Sequence, residues 1–201
     1  MPGDIWAKWL DEAEREGAAS DRQLRILRSQ VRDRVLHKAA LLRGSRVVDL
    51  GCGTGFLALE AARMVGPEGM VTAVDTSPGA LEVLAQRGKE MGLANLRPLQ
   101  ADISRLPLSD GEADALVARS VLSYVPDRAE VLREAWRVLR PGGVLSVFEP
   151  VLREEELVVD WGDEVYLWTK LRQILEKHHP AYGFGRRELV EEVRGAGFED
   201  V

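Results

Sequence analysis

The strongest constraint on the fold is a glycine-rich turn that directly follows a short apolar segment. Residues 47–55 read Val-Val-Asp-Leu-Gly-Cys-Gly-Thr-Gly, so that glycine occupies every second position of the turn. A tight turn from a strand into a helix needs positive φ or very small side chains, and glycine supplies both. The missing Cβ atoms let a ligand lie against the backbone, where N–H groups at the helix start can hold a carboxylate or phosphate. The segment therefore predicts a nucleotide-type binding turn.

Strand-like and helix-like segments alternate after this turn, as in an α/β protein. Five apolar segments are predicted strands: 46–50, 70–75, 96–101, 113–119 and 144–148. Ser77 followed by Pro78 predicts the start of one intervening helix, because these residues suit the cap and the first helical position. Asp127 with Glu130 predicts the start of another. The alternation predicts a Rossmann-like, mostly parallel sheet with helices on both faces and right-handed crossovers.

The chain is predicted to divide into an N-terminal helical arm, residues 1–43, and an α/β domain, residues 44–201. In the arm, apolar residues keep helical spacing as far as Leu42. The arm is expected either to pack against the domain or also to cover its site. Residues 150–187 interrupt the alternation and are predicted to form a helical insertion that caps the substrate pocket. The motif Arg140-Pro141-Gly142-Gly143 is predicted as the turn before the fifth strand.

Composition fits one soluble domain. The 201 residues are 45% hydrophobic and carry a formal net charge of -6, a globular balance without a field that would attract nucleic acid. No apolar run approaches the roughly 20 residues of a membrane span, and the start of the chain lacks the pattern of a signal peptide. The single cysteine, Cys52, excludes an internal disulfide and a cysteine-cluster metal site. We therefore expect a cytoplasmic protein with no metal, no membrane span and no nucleic-acid partner.

The glycine turn by itself leaves two ligand classes open. Gly53, Gly55 and Ala58 also satisfy the dinucleotide fingerprint, with Asp75 twenty residues after Gly55. A carboxylate at the end of the second strand can accept both ribose hydroxyls of either ligand. The alternative role of this residue is that of a helix-capping acid before Ser77.

Three further features favour an adenosine ligand with a cationic amine. Asp49 lies inside an otherwise apolar strand, where an unpaired carboxylate costs on the order of several kcal/mol that a ligand amine would relieve. Asp102 ends the third strand, where its carboxylate can accept from an adenine amine while Ile103 packs on the ring. The chain length also leaves no room for the second domain that most dehydrogenases need.

Together these segments resemble the class I S-adenosylmethionine-dependent methyltransferases, over roughly residues 40–201. The resemblance is carried by the glycine turn, the strand ending in Asp75, the Asp102 segment and the Arg-Pro-Gly-Gly motif. It extends to the small-molecule branch that includes quinone-biosynthesis C-methyltransferases. It implies S-adenosylmethionine as the cofactor, S-adenosylhomocysteine as the product and a small-molecule methyl acceptor.

The resemblance also implies a role for each residue around the cofactor. Gly51, Gly53 and Gly55 would line its methionine and ribose parts, with Cys52 contributing backbone. Asp49 would support the turn and the amino group. The remaining implied contacts are Asp75 with the ribose hydroxyls, Thr76 beside it, Asp102 and Ile103 with adenine, and Arg119 near the methionine end.

The sequence departs from the family pattern at its C-terminus. The family sheet has seven strands, and residues 198–201 are predicted as the start of the sixth, so the terminal β-hairpin is missing or incomplete. We therefore expect a truncated chain, or another chain that covers the fifth strand, because an exposed apolar edge strand is an aggregation hazard. Self-association through this edge is one such expectation.

The implied reaction is an in-line displacement with an activated methyl donor. Alignment and exclusion of water supply much of the rate, and a general base helps only if the acceptor starts protonated. The catalytic residue is therefore unassigned, and the candidates for a base are His178, His179, Glu149 and Tyr182. Paired histidines at a helix end also commonly face solvent or cap carbonyl groups.

The sequence narrows the acceptor by what it lacks. It has no Asn/Asp-Pro-Pro-Tyr segment after the fourth strand, as in amino-group methylation of adenine or glutamine, and its sole cysteine is committed to the turn. A small molecule methylated at carbon, oxygen or nitrogen is therefore expected. Two alternatives stay open: a non-catalytic S-adenosylmethionine-binding domain that regulates a partner, and an NAD(P)-dependent oxidoreductase.

Overall fold

The computed structural model describes residues 22–151 and 183–201. Within these ranges it contains a five-stranded, all-parallel sheet with helices on both faces, which confirms the predicted Rossmann-like α/β fold. The strands are β1 (Arg46–Leu50), β2 (Met70–Asp75), β3 (Leu96–Gln100), β4 (Ala113–Arg119) and β5 (Leu139–Phe148). The helices are α1 (Arg22–Lys38), α2 (Ala58–Val65), α3 (Pro78–Glu90), α4 (Arg128–Val138) and α5 (Arg186–Gly195), with a 3₁₀ turn at Leu122–Tyr124.

The strand order β3-β2-β1-β4-β5 places β1 at the centre of the sheet. The chain first builds outward from β1 to β3 and then returns to add β4 on the other side of β1. The direction of growth therefore reverses between β1 and β4, which leaves a crevice at the carboxyl ends of these strands. Ligands of open α/β sheets bind at such a topological switch point. The glycine turn after β1 begins here.

Each face of the sheet packs its own apolar core. On one face, α1, α2 and α3 cover strand residues such as Val47 and Val117. On the other face, α4 and the segment after β3 cover Val48 and Leu116. The central strands are thus buried on both sides, which explains why they read as nearly continuous apolar runs.

Side-chain caps start α3 and α4 at the predicted residues. The Ser77 hydroxyl accepts the Ala80 N–H at 3.0 Å, and Pro78 occupies the first helical position. The Asp127 carboxylate accepts the Glu130 N–H, also at 3.0 Å. Because these caps satisfy N–H groups that lack partners within the helix, local sequence decides where both helices begin.

Residues 140–143 do not form the predicted turn before the fifth strand. They belong to β5 itself, whose register with β4 shifts between Ala113 and Ala115. The segment is therefore a bulge within the strand. An ion pair of 2.6 Å between the Arg140 guanidinium and the Asp114 carboxylate holds it beside β4.

The N-terminal helix is shorter than its apolar spacing predicts. α1 ends at Lys38, and Ala40 follows with a φ of +50°, a left-handed conformation that interrupts a helix. Leu42, predicted to continue the apolar face, is instead 73% exposed. The arm before residue 22 and residues 152–182 of the predicted insertion 150–187 lie outside the described residues.

The predicted strand at residues 198–201 is not formed. Asp200 has a φ of +55°, which is incompatible with extended backbone. Phe198 packs edge-on against Trp136, with ring centroids 5.1 Å apart. This aromatic contact holds the segment against α4 instead of along the sheet.

The C-terminal end of α2 depends on one buried asparagine. Asn95 is 6% exposed, and its side-chain amide donates to the Ala62 carbonyl at 2.8 Å and to the Gly66 carbonyl at 2.7 Å. The last carbonyl groups of a helix have no partners within the helix. The Ala62 carbonyl also accepts the Gly66 N–H at 3.3 Å, and the Gly66 carbonyl accepts the Gly69 N–H at 3.0 Å. Asn95 therefore adds a second donor to each of these carbonyl groups.

Asn95→Ala is expected to lower the free energy of unfolding by about 2 kcal/mol, because the two hydrogen bonds of a buried side-chain amide are lost. Urea denaturation followed by circular dichroism measures this change. Gln86→Ala, which removes an exposed side-chain hydrogen bond to Glu90, is the matched control. It is expected to change stability by less than about 0.5 kcal/mol. Equal effects of the two substitutions would contradict the role given to Asn95.

Candidate functional site

The glycines of the turn after β1 adopt left-handed backbone conformations, and backbone hydrogen bonds hold the turn in place. Gly51, Gly53 and Gly55 have φ values of +65°, +52° and +100°, which residues with a Cβ rarely adopt. The Cys52 N–H donates to the Val74 carbonyl at 2.9 Å, and the Gly55 N–H donates to the Cys52 carbonyl at 3.0 Å. The turn is thereby tied to the end of β2.

Two of the glycines also lie where no side chain would fit. A Cβ on Gly51 would overlap the side chain of Val121, which follows β4. A Cβ on Gly55 would overlap Leu84 of α3 and press on Leu59 of α2. The packing of the turn therefore needs these glycines independently of any ligand, a requirement that the sequence alone does not reveal.

Asp75 at the end of β2 joins the glycine turn to the next loop. One carboxylate oxygen accepts the Gly53 N–H at 2.8 Å, and the other accepts the Ser77 N–H at 2.9 Å. A carboxylate offers about four acceptor positions, so that two remain for other donors. The side chain is partly exposed, and this geometry is compatible with both predicted roles, ribose acceptor and local capping acid.

Asp49 is a carboxylate buried within the central strand. It is 1% exposed, it accepts the N–H of Ala58 at the start of α2, and its Oδ2 has no hydrogen-bond partner among the described residues. Burial raises the pKa of Asp49 to about 8; the Ala58 N–H acts to lower it, and the Asp75 carboxylate acts to raise it. Because an unpaired buried acceptor is unfavourable, the site favours a ligand that brings a cationic donor.

The residues predicted beside ribose and adenine differ in exposure. Asp102 is exposed, and its carboxylate accepts the Ser104 N–H at 2.9 Å. Thr76 is exposed next to Asp75. Ile103 is only 6% exposed and belongs to the core on the α4 face, so that little of its side chain is available to a ligand.

Arg119 lies on the other side of the crevice, at the end of β4. Its guanidinium is 4.4 Å from the centroid of the Phe56 ring, a cation–π contact that links β4 to the segment before α2. The resemblance implies the position of Arg119 but not this contact. Phe56 carries no signal in the sequence, because a single aromatic residue after a glycine turn belongs to no periodic pattern.

A second contact that the sequence does not indicate joins α3 to the turn. The Arg87 Nη1 donates to both the backbone oxygen and the hydroxyl of Thr54, each at 3.1 Å. Thr54 is 1% exposed. The two residues are 33 positions apart, a separation over which no sequence pattern predicts contact.

Cys52 is a buried thiol inside the turn. It is 5% exposed, and burial, reinforced by the negative charges of Asp49 and Asp75, raises its pKa well above the usual range. The thiolate is the nucleophilic form of cysteine. The side chain is therefore unsuited to covalent chemistry, and the residue contributes backbone to the turn.

Glu149, which the sequence offers as a candidate general base, accepts three hydrogen bonds from the segment after β4. Its Oε1 accepts the N–H groups of Val121 and Leu122 at 2.6 and 2.7 Å, and its Oε2 accepts the Ser123 hydroxyl at 3.0 Å. Burial raises the pKa of Glu149, although these donors act in the opposite direction. The carboxylate thus binds two backbone N–H groups and one hydroxyl of the segment after β4.

The crevice brings together part of the predicted site. The glycine turn, Asp49 and Asp75 meet at the carboxyl ends of β1 and β2. A glycine-rich turn, an unpartnered buried oxygen and a partly exposed carboxylate suit an adenosine ligand that bears a cationic amine. The other candidates for a base lie in a segment outside the described residues: His178, His179 and Tyr182.

A family described as "Methyltransferase domain" matches residues 41–182 of the chain. The demethylmenaquinone methyltransferase of Geobacillus kaustophilus is 31% identical over 184 residues, which cover 85% of this chain and 77% of that relative. The match therefore includes the glycine turn, the sheet and most of the helices described above.

Solved structures share the fold. A SAM-dependent methyltransferase from Aquifex aeolicus matches with a TM-score of 0.60 and 25% identity over 85% of each chain. The cyclase SpnF matches with a TM-score of 0.66 and 30% identity over 85% of this chain and 56% of the cyclase. On the family match and the relatives together, the chain belongs to the methyltransferase domain family and is an S-adenosylmethionine-dependent methyltransferase.

Proposed function

We propose that the methyl acceptor is the ring of a demethylated quinone of the menaquinone type, methylated in its reduced, hydroquinone form. The similarity to demethylmenaquinone methyltransferase over 85% of this chain is the observation that carries the proposal. The reduced form is required because a quinone ring is electron-poor, whereas a ring carbon next to a phenolate oxygen can attack a methyl group.

Aromatic surface at the carboxyl edge of the sheet supports a flat acceptor. Tyr124 follows β4 and is 49% exposed, and Phe148 ends β5 and is 38% exposed. Both lie at the same edge of the sheet as the glycine turn. Aromatic side chains favour stacked or edge-on contacts with other rings, so this edge offers a suitable wall for a quinol.

The proposed cofactor contacts follow from the positions of the acids. The unpartnered oxygen of Asp49 would accept the amino group, and Asp75 would accept the ribose hydroxyls. The backbone along the methionine and ribose parts would come from Gly51, Cys52, Gly53 and Gly55. The remaining proposed contacts are Thr76 beside the ribose, Asp102 with adenine, the small exposed part of Ile103 against the adenine ring, and Arg119 at the methionine end.

Bound S-adenosylmethionine supplies an activated methyl group on a sulfonium. The protein itself aligns the acceptor carbon with that methyl group and excludes water, which lowers the barrier by up to ~7–11 kcal/mol. We propose that the arm 1–43 and the insertion 150–187 enclose this pocket. A base from the insertion would take the proton of the hydroquinone hydroxyl, with three candidates: His178, His179 and Tyr182.

The edge of the sheet at β5 is a candidate surface for association with a second copy of the chain. β5 is the outer strand of the described sheet and pairs with β4 alone, which supports association of two copies through this edge. Nucleic acid is not proposed as a substrate, in line with the net charge of -6. In the part of the chain that the structure describes, no helix is long and apolar enough to cross a membrane.

Methyl transfer from labelled cofactor to a short-chain demethylmenaquinol tests the acceptor. Turnover is expected with the reduced substrate and not with the oxidised quinone. Arsenite and sarcosine serve as comparison acceptors, and the single, buried cysteine predicts no arsenite turnover. Preferential methylation of either compound would overturn the quinol assignment. Absence of turnover with the reduced substrate would overturn it as well.

Asp75→Ala is expected to raise the Kd for S-adenosylhomocysteine at least about tenfold, because the ribose hydroxyls lose a charged acceptor. The Gly53 N–H loses the same acceptor. Titration calorimetry measures the affinity. Asp127→Ala is the matched control, since it also removes a carboxylate that accepts a backbone N–H before a helix. The control should lower stability by about 1 kcal/mol with unchanged affinity. Normal binding by Asp75→Ala would show that the ribose lies elsewhere.

The buried Asp49 carboxyl predicts opposite effects on stability and on binding. Its pKa of about 8 in the folded state exceeds the ordinary value of 3.8, so the folded state holds the proton more tightly than the unfolded state. The contribution of this group to stability is therefore greatest below pH 4 and falls as the pH rises towards 8. Asp49→Asn cannot ionise and is expected to be more stable at pH 7, by on the order of 4 kcal/mol.

The same Asp49→Asn variant should bind S-adenosylhomocysteine more weakly, because a neutral amide cannot form an ion pair with the amino group. Scanning and titration calorimetry at pH 6 and pH 8 measure both properties. Wild-type affinity should increase between these two pH values as Asp49 ionises, and the affinity of the variant should not. A variant that is less stable and binds normally is the contrary result.

A further inference from the structure

Three donors from the segment after β4 converge on the carboxylate of Glu149. They are the N–H groups of Val121 and Leu122 and the hydroxyl of Ser123. Glu149 directly follows the last residue of β5 and is partly buried. One side chain therefore fixes the first turn after β4 to the end of the neighbouring strand.

The segment that Glu149 holds is the one that packs on the glycine turn. The Val121 side chain fills the space where a Cβ of Gly51 would lie. Ser120, just before it, has a φ of +53° and donates its N–H to the Phe148 carbonyl at 2.8 Å. A serine in this conformation is strained unless its surroundings fix it, so the segment depends on its contacts with the end of β5.

Charges on the helix side also restrain Glu149. Arg128 at the start of α4 attracts this carboxylate, and its guanidinium donates two hydrogen bonds of 2.7 Å to Glu192 of α5. The same guanidinium lies 4.4 Å from the centroid of the fully buried Phe184 ring. Glu149 thus belongs to a fixed arrangement at the end of the sheet and is not a mobile surface acid.

We propose that Glu149 is a positioning residue for the cofactor turn and not the general base of methyl transfer. The carboxylate holds the segment after β4 in place and thereby positions Val121. The Val121 side chain in turn packs against the backbone of Gly51. The proposal rests on the cofactor contacts proposed above for the glycine turn. It is independent of the identity of the acceptor.

The two roles differ in what they require of the side chain. A general base needs an oxygen directed at the proton that it removes, whereas donors of the protein occupy three of the roughly four acceptor positions of Glu149. Glutamine can replace the positioning role, because its oxygen can accept both N–H groups while its amide donates to the Ser123 hydroxyl. Glutamine cannot replace a base.

Three variants test the proposal: Glu149→Ala, Glu149→Gln and, as the matched control, Asp114→Ala. Asp114 is also a carboxylate that accepts a backbone N–H from a neighbouring strand, that of Arg46 at 2.7 Å. Because Arg46 begins β1, this contact lies at the end of the sheet opposite the glycine turn. The measurements are the affinity for S-adenosylhomocysteine, the melting temperature and the steady-state kinetics.

Glu149→Ala is expected to weaken S-adenosylhomocysteine binding roughly tenfold, as the loss of a charged hydrogen-bond acceptor would. Glu149→Gln should recover affinity to within about threefold of wild type. Asp114→Ala should lower the melting temperature to a similar extent and leave the affinity unchanged. In turnover, Glu149→Ala should raise KM for the cofactor more than it lowers kcat, and Glu149→Gln should keep the pH profile of kcat.

Three results would overturn the proposal. One is wild-type affinity in Glu149→Ala, and another is no recovery of affinity in Glu149→Gln. The third is normal affinity in Glu149→Gln together with a kcat that falls roughly 10²–10⁴-fold, as loss of a general base predicts. Binding of S-adenosylhomocysteine needs no acceptor, so these outcomes differ from failure of the quinol proposal, in which wild type binds but does not methylate.

Discussion

The turn after β1 has no room for a side chain at two positions, Gly51 and Gly55. Neighbouring elements of the crevice pack directly against it there. Val121, in the segment after β4, occupies the space where a Cβ of Gly51 would lie, and Leu84 of α3 occupies the space where a Cβ of Gly55 would lie. Asp75 binds one of its N–H groups from the end of β2. Because separate elements hold this backbone, a ligand meets a fixed surface and need not order a loop when it binds.

Two carboxyl groups, Asp49 and Asp75, lie at this fixed backbone. Asp49 is buried, and the charge of the partly exposed Asp75 adds to burial in raising the pKa of Asp49. A neutral Asp49 relieves the repulsion in the free protein, and a cationic ligand would relieve it in a complex. The group that suits ligand recognition is thus unfavourable for the folded chain alone, a conflict that is common at functional sites.

Features that depend on neighbouring residues could be predicted from the sequence, and features that depend on distant partners could not. The caps Ser77 and Asp127 act within three residues, and the structure confirms both helix starts. The bulge at 140–143 is a shift in the pairing of β5 with β4, and pairing between strands is not encoded by any local pattern. In the candidate site, Asp49 stands out because a carboxylate in an apolar strand is unusual. The contacts of Glu149 join residues 26 to 28 positions apart, so the sequence shows an acid after a strand but not what it holds.

The packing of the turn controls the reactivity of its thiol. Cys52 is 5% exposed, and burial keeps it protonated. Oxidants and alkylating reagents attack thiolates that they can reach, so the folded turn protects this residue from both. The sulfur becomes reactive only when the turn opens through local or global unfolding. Oxidative damage at this position therefore falls on molecules whose site is already disassembled, and the rate of thiol labelling reports how often the turn opens.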